Sequence, residues 1–179
     1  MGQMLSRGWK WILGFLAIQY LGVFWFVQTV WPVSLAIIKP IAGIIACLAL
    51  ASSQEGTSSF SKLESSWPQG RIFRSLAASL VLLMALTAAP LVSSWLGINS
   101  LLGIWASLYL MGLGLLQLGI TAQPMRVIIA LLTFLSGFEI LYSFIETSTL
   151  VAAMLVFMNI GLSLVGVYLL NTIESGNSR

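Results

Sequence analysis

The chain has 179 residues, of which 59% are hydrophobic and 7% are charged, and its mean hydropathy is +1.00. This composition has too little polar surface to coat a water-soluble globule, so we expect an all-α protein, a polytopic bundle of transmembrane helices. Histidine and aspartate are absent, which excludes histidine ligation of haem and a Ser-His-Asp triad. The net charge of +3 comes from scattered basic residues, a pattern that does not predict nucleic-acid binding.

The first two predicted helices precede a long polar segment. Residues 10–31 form an apolar run with tryptophans toward both ends, as is typical of a membrane-spanning helix, and a second helix fits residues 33–51. The lone Cys47 lies in this second run and predicts neither a disulfide nor a metal site. Residues 52–71 are rich in serine, glycine and charged residues, so we expect a flexible cytoplasmic loop within a single membrane domain covering 1–179.

Four further helices fit residues 72–96, 100–121, 124–146 and 148–170, which makes six helices in three hairpins. If the amino terminus is cytoplasmic, seven of the eight basic residues lie at the cytoplasmic ends of helices: Arg7, Lys10, Lys62, Arg71, Arg74, Arg126 and Arg179. The positive-inside rule therefore predicts that both termini are cytoplasmic.

The fifth predicted helix carries a polar stripe. Residues three, four and seven apart share a helix face, so Ser136, Glu139, Tyr142, Ser143 and Glu146 align along an otherwise apolar helix. A rise of about 1.5 Å per residue places Glu139 about 22 Å from Pro124 and about 10 Å from Glu146. Glu139 is then inside the hydrocarbon layer, where a carboxylate costs several kcal/mol unless it is protonated, paired or hydrated, whereas Glu146 lies near the outer boundary.

Two other polar residues are candidate partners of Glu139. Lys39 lies at nearly the same depth if the second helix begins at residue 33, whereas it snorkels to the outer headgroups if that helix begins at Pro40. Asn159 lies halfway along the sixth helix and is the other buried polar group able to join a network. Gln19 and Gln117 are weaker candidates, since one buried amide per helix is ordinary interhelical contact.

Residues 109–170 resemble the K subunit of respiratory complex I and the related C subunit of Mrp-type cation/proton antiporters. The matching features are Gly112, Gly114 and Gly119, then Arg126 after a short loop, then the Gly-Phe-Glu-Ile-Leu motif at 137–141. The resemblance implies a three-helix unit in which Glu139 is the membrane acid of a proton path and Arg126 an anchor at the cytoplasmic interface. The acid that this family carries on its third helix is absent, and Asn159 lies near its place.

These observations predict a small subunit of an ion-translocating or respiratory-type complex in the bacterial inner membrane, with antiporter-like subunits and lipid as partners. The proton-path candidates are Glu139, Lys39, Asn159, Tyr142 and Glu146. A non-conducting structural or assembly subunit is the main alternative, and a small-solute transporter is the third. We expect no enzymatic activity, because no nucleophile-base pair is present, and we expect neither a metal nor another cofactor.

Overall fold

The computed structural model describes residue 14 and residues 17–28, 40–41, 43–45, 48, 70–120, 124–146 and 148–177. These residues are helical apart from short turns, and no β-strand occurs among them. The predicted all-α class is therefore confirmed.

Helical residues occur within each of the six predicted segments. We number the helices in chain order as α1 (Ala17–Val27), α2 (helical positions within 40–48), α3 (Gly70–Leu96), α4 (Leu101–Ile120), α5 (Pro124–Ile145) and α6 (Thr149–Asn177). Four of them, α3 to α6, contain apolar stretches long enough to cross a membrane. This agrees with a multi-pass membrane protein.

Helix α6 extends beyond its predicted end. The apolar stretch covers Thr149–Leu169, close to the predicted 148–170, but the helix continues to Asn177. The added turns contain Thr172 and Glu174, polar residues that a helix tolerates once it has left an apolar layer. The end of the apolar run therefore marks the end of the candidate membrane span and not the end of the helix.

A glycine turn reverses the chain between α3 and α4. Gly97 has a φ of +67°, and the backbone N–H of Ile98 donates to the carbonyl of Ser93 at 3.2 Å. This six-to-one bond with a left-handed glycine is a Schellman motif, which ends a helix by satisfying a free carbonyl. The Ser93 hydroxyl also donates to the Ile98 carbonyl at 2.7 Å. The turn makes α3 and α4 an antiparallel pair.

Helices α4 and α5 form the closest pair, because each places a glycine against the backbone of the other. A Cβ atom at Gly114 would lie 2.7 Å from the backbone nitrogen of Phe134. A Cβ atom at Gly137 would lie 2.7 Å from the nitrogen of Met111 and 2.8 Å from the carbonyl oxygen of Ser107. Small residues permit this approach, which is the usual basis of helix packing in membranes.

Helix α5 lies at the centre of the bundle. Over half of its candidate span (56%) is buried, compared with 11% for α3, which packs against α4. Helix α1 covers the carboxy-terminal half of α5 and the start of α6 through an apolar cluster of Val23, Val27, Ile140 and Ala152, with Phe24, Phe26, Leu110 and Phe144 around it. Four polar side chains of α5, Thr133, Ser136, Glu139 and Ser143, are buried inside the bundle.

Candidate functional site

The site is centred on Glu139, in the middle of α5. Its side chain is 2% exposed, although the residues on either side of it in the sequence, Phe138 and Ile140, are apolar. Ser136 and Ser143, one turn away in each direction, are 0% and 2% exposed. The carboxyl thus lies inside the bundle, which is the position expected of a polar stripe on an apolar helix.

Asn159 from α6 is a hydrogen-bond partner of this carboxyl. Its Nδ2 donates to Glu139 Oε1 at 2.6 Å, and the asparagine side chain is 1% exposed. The bond joins two helices inside the bundle, and each side chain satisfies part of the other's hydrogen-bonding requirement. Asn159, predicted as a buried polar group able to join a network with Glu139, is therefore in direct contact with it.

Tyr20 from α1 extends the hydrogen bonding to a third helix. Its hydroxyl donates to Asn159 Oδ1 at 3.2 Å, and the tyrosine is 2% exposed. The ring packs on Gly43 of α2, where a Cβ atom would lie 2.8 Å from Tyr20 Cδ1 and Cδ2. We call the three residues Tyr20, Asn159 and Glu139 the buried relay.

A second polar link lies closer to the amino-terminal end of α5. Thr133 Oγ1 donates to Gln19 Oε1 at 3.3 Å and also to the carbonyl of Ile129 at 2.8 Å. Thr133 precedes Ser136 by three residues and Glu139 by six, so it is about 9 Å from Glu139 along the helix. Buried polar groups therefore continue along α5 from Thr133 to Ser143.

The buried serines of the site bond to their own helices. Ser136 donates to the carbonyl of Leu132 at 2.8 Å, Ser143 to that of Ile140 at 2.7 Å and Ser163 to that of Asn159 at 2.7 Å. This back-bonding satisfies the hydroxyl proton inside an apolar bundle and leaves the oxygen able to accept a further hydrogen bond.

The other predicted site residues lie outside the buried relay. Tyr142 is half-buried and stacks on Phe138, with ring centroids 6.3 Å apart. Glu146 is exposed just beyond the end of α5, and Arg126 is half-buried at the opposite end. Lys39 lies outside the described residues.

Tyr20 and Thr133 are the members of the site that were not predicted. Tyr20 belongs to a buried face of α1 with Val23 and Val27, at spacings of three and seven residues. That periodicity was available from the sequence, but only packing could assign the hydroxyl to Asn159. Thr133 lies one turn before Ser136 and extends the predicted stripe of α5 toward its amino-terminal end. The same periodicity therefore indicates that Thr133 belongs to the buried face.

Comparison with protein-family models, with characterised proteins and with solved structures gives no match for this chain. Within the described residues, no three of the side-chain types that usually bind metals come together. What the relay offers chemically is a buried carboxyl that can hold or release one proton, next to an amide and a phenol that can adjust their hydrogen bonds to it.

Proposed function

We propose that the protein is a small subunit of an ion-translocating membrane complex and that Glu139 accepts and releases a proton during its work. The observation that carries this proposal is the burial of a carboxyl at 2% exposure in the middle of a candidate membrane span. Ionisable groups at such positions are expensive, and they commonly mark ion or proton pathways. The resemblance of residues 109–170 to the K and C subunits leads to the same role.

The polar groups around Glu139 support this function. Thr133, Ser136 and Ser143 lie on the same helix and are each at most 7% exposed, while Asn159 supplies a donor from α6. Of these groups, the Asn159 amide contacts the carboxyl, while the three hydroxyls donate to carbonyls of their own helix and each keep an oxygen that can accept a further hydrogen bond. A side chain that only fills space needs none of these groups.

The proposed orientation follows from the basic residues. With both termini in the cytoplasm, Arg126 anchors α5 at the inner surface and Glu146 faces the outer one. Protons would then reach Glu139 from the cytoplasmic side along Thr133 and Ser136. In this proposal the complex lies in a bacterial inner membrane, and its larger subunits are antiporter-like.

A structural subunit is the second candidate function, and the buried relay favours it too. One asparagine, Asn159, accepts a hydrogen bond from Tyr20 and donates one to Glu139, and so ties α1, α5 and α6 together. Interhelical bonds of this kind hold membrane bundles in register without any proton movement. The two functions differ in what happens when the carboxyl is replaced by an isosteric amide.

Proton flux in inverted membrane vesicles separates the two. Glu139→Gln keeps the size of the side chain and one oxygen that can accept from Asn159 but removes the titratable group. We expect it to reduce proton flux at least tenfold while the complex stays intact on a native gel. Glu146→Gln is the matched control, because Glu146 is exposed at the end of the same helix, and its flux should stay at the wild-type level.

A Glu139→Gln complex that falls apart while any intact fraction keeps its wild-type flux would support the structural function. Wild-type flux in a fully assembled Glu139→Gln complex would contradict the proton-path proposal directly.

A further inference from the structure

We propose that Tyr20 is a positioning residue of the Glu139 site, and that Asn159 reverses its hydrogen bonds when Glu139 is protonated, so that α1 detects the proton. This inference rests on the proposed function, because it requires Glu139 to change protonation. It assigns a role to Tyr20, a residue of α1 that is 139 residues away from Asn159 in the sequence.

The amide of Asn159 has one orientation that satisfies both of its neighbours at present. Nδ2 donates to Glu139 Oε1 at 2.6 Å, and Oδ1 accepts from the Tyr20 hydroxyl at 3.2 Å. The two ends of the amide differ in function, since the nitrogen can only donate and the oxygen can only accept. The observed orientation suits a carboxylate that accepts and a phenol that donates.

Protonation of Glu139 creates a new O–H donor in a buried place. Rotation of the Asn159 amide by about half a turn would present Oδ1 to that donor and turn Nδ2 toward Tyr20. The amide nitrogen and oxygen have nearly equal volume, so this rotation needs no new space. Tyr20 then accepts a hydrogen bond through its phenol oxygen, and its own proton rotates away from Asn159.

No proton passes through the amide in this step. The proton that arrives forms the O–H bond on Glu139, both Asn159 protons stay on Nδ2, and the Tyr20 proton stays on its oxygen. What is transmitted is the direction of the hydrogen bonds. Tyr20 is therefore a sensor of the carboxyl and not a donor of protons to it.

The tyrosine is placed so that it can pass this change to two helices. Its ring is held against Gly43 of α2, while its backbone belongs to the face of α1 that packs on α5 and α6. Because the ring cannot move into Gly43, the change is concentrated at the hydroxyl. Among the described residues, Tyr20 therefore links α1 and α2 to the buried relay.

Few titratable groups of the described residues are near the carboxyl. Tyr20 is the one that α1 brings to the relay, and α6 contributes the non-titrating Asn159. On α5 itself, Arg126 and Glu146 lie about 20 Å and about 10 Å away along the helix. Tyr142, one turn from Glu139 on α5, stacks on Phe138. The Tyr109 ring of α4 stacks on Trp105, and Tyr168 of α6 is 68% exposed. Lys39 lies outside the described residues.

Infrared difference spectra of the full-length protein in lipid vesicles test the inference. Tyrosine is labelled with ¹³C in the ring, and spectra are taken across a pH range. The ring C–O band of a phenol differs between a hydrogen-bond donor and an acceptor. We expect this band to shift with the same midpoint pH as the carboxyl band that disappears in Glu139→Gln.

Matched variants assign the band. The shift should be lost in Tyr20→Phe and kept in Tyr168→Phe, because Tyr168 is exposed on the outside of α6. Asn159→Leu keeps Tyr20 but breaks the connection, so the tyrosine band should remain present and stop responding to pH.

Three results would overturn the inference. A tyrosine band that stays constant while the Glu139 carboxyl band titrates would remove Tyr20 from the site and leave the proposed function standing, as would a shift that persists in Tyr20→Phe. A Glu139 carboxyl band that never changes with pH would overturn both the inference and the proposed function.

Discussion

Removal of the Glu139–Asn159 hydrogen bond is expected to have a large and measurable effect on stability. Leucine replaces either side chain with an apolar group of similar size. Asn159→Leu leaves the carboxyl and the Tyr20 hydroxyl without the amide, and Glu139→Leu leaves Asn159 Nδ2 without an acceptor. Each single variant therefore buries a polar group that has lost its partner, whereas the double variant buries neither of the two.

The size of the coupling follows from the geometry. Hydrogen bonds to charged groups contribute about 1.5–3 kcal/mol in general, while interhelical bonds measured in membranes average about 0.6 and reach about 1.7 kcal/mol. This bond is short, at 2.6 Å, and both side chains are at most 2% exposed. We expect a coupling free energy of about 1.5 kcal/mol, or roughly tenfold in the unfolding equilibrium.

A double-mutant cycle in detergent micelles measures this quantity. Unfolding by sodium dodecyl sulfate is followed by tryptophan fluorescence for the wild type, both single variants and the double variant. Met158→Leu, beside Asn159 but half-exposed on the outer face of α6, is the control and should leave stability unchanged. Single-variant effects that add up within about 0.3 kcal/mol in the double variant would refute the predicted coupling.

Three further predictions concern packing, the turn and orientation. Gly137→Ala should destabilise the protein by about 2 kcal/mol or more in the same unfolding assay, because its Cβ would meet backbone atoms of α4. The control Gly119→Ala, in open space on α4, should be neutral or stabilising by up to about 1 kcal/mol. Equal effects of the two variants would contradict the packing of α4 on α5. Gly97→Ala should cost about 1 kcal/mol, since its φ of +67° is unfavourable for alanine, and no loss of stability would contradict the turn geometry. In a Cys47→Ala background, an impermeant maleimide added to intact cells should label the Asn99→Cys variant and should not label the Ser59→Cys variant. The opposite pattern would contradict the proposed topology, in which both termini are cytoplasmic.

The polar stripe of α5 illustrates what periodicity can predict. Spacings of three and four residues placed Ser136, Glu139 and Ser143 on one face, and all three are buried. Position along a helix depends only on residue count, so Asn159, halfway along the sixth predicted helix, was a candidate for the Glu139 network before any packing was known. Both inferences need nothing beyond regular helix geometry.

The choice of tyrosine shows where such reasoning ends. Tyr142 shares the helix of Glu139 and was the tyrosine predicted for the proton path, yet it stacks on Phe138, and the phenol that reaches the relay is Tyr20. Periodicity indicates that Tyr20 lies on a buried face of α1, but it does not indicate which helix covers that face. That contact depends on how α1 packs between α2, α5 and α6, which is a property of the whole bundle.

The end of α6 shows a second limit. Apolar composition predicts where a helix leaves an apolar layer, here at Leu169, but backbone hydrogen bonding continues through the polar residues to Asn177. The length of a helix and the length of its apolar span are separate quantities, and the hydropathy pattern of the sequence predicts only the apolar span.

The carboxyl vibration of Glu139 under a proton gradient tests the central proposal most directly. Infrared difference spectra of inverted vesicles, recorded with and without an imposed pH gradient, should contain a protonated-carboxyl band that appears and disappears with the gradient. We predict that this band is lost in Glu139→Gln and retained in Glu146→Gln. A spectrum in which the Glu139 carboxyl stays in one protonation state under all gradients would contradict the proposal and leave the residue a structural link between α5 and α6.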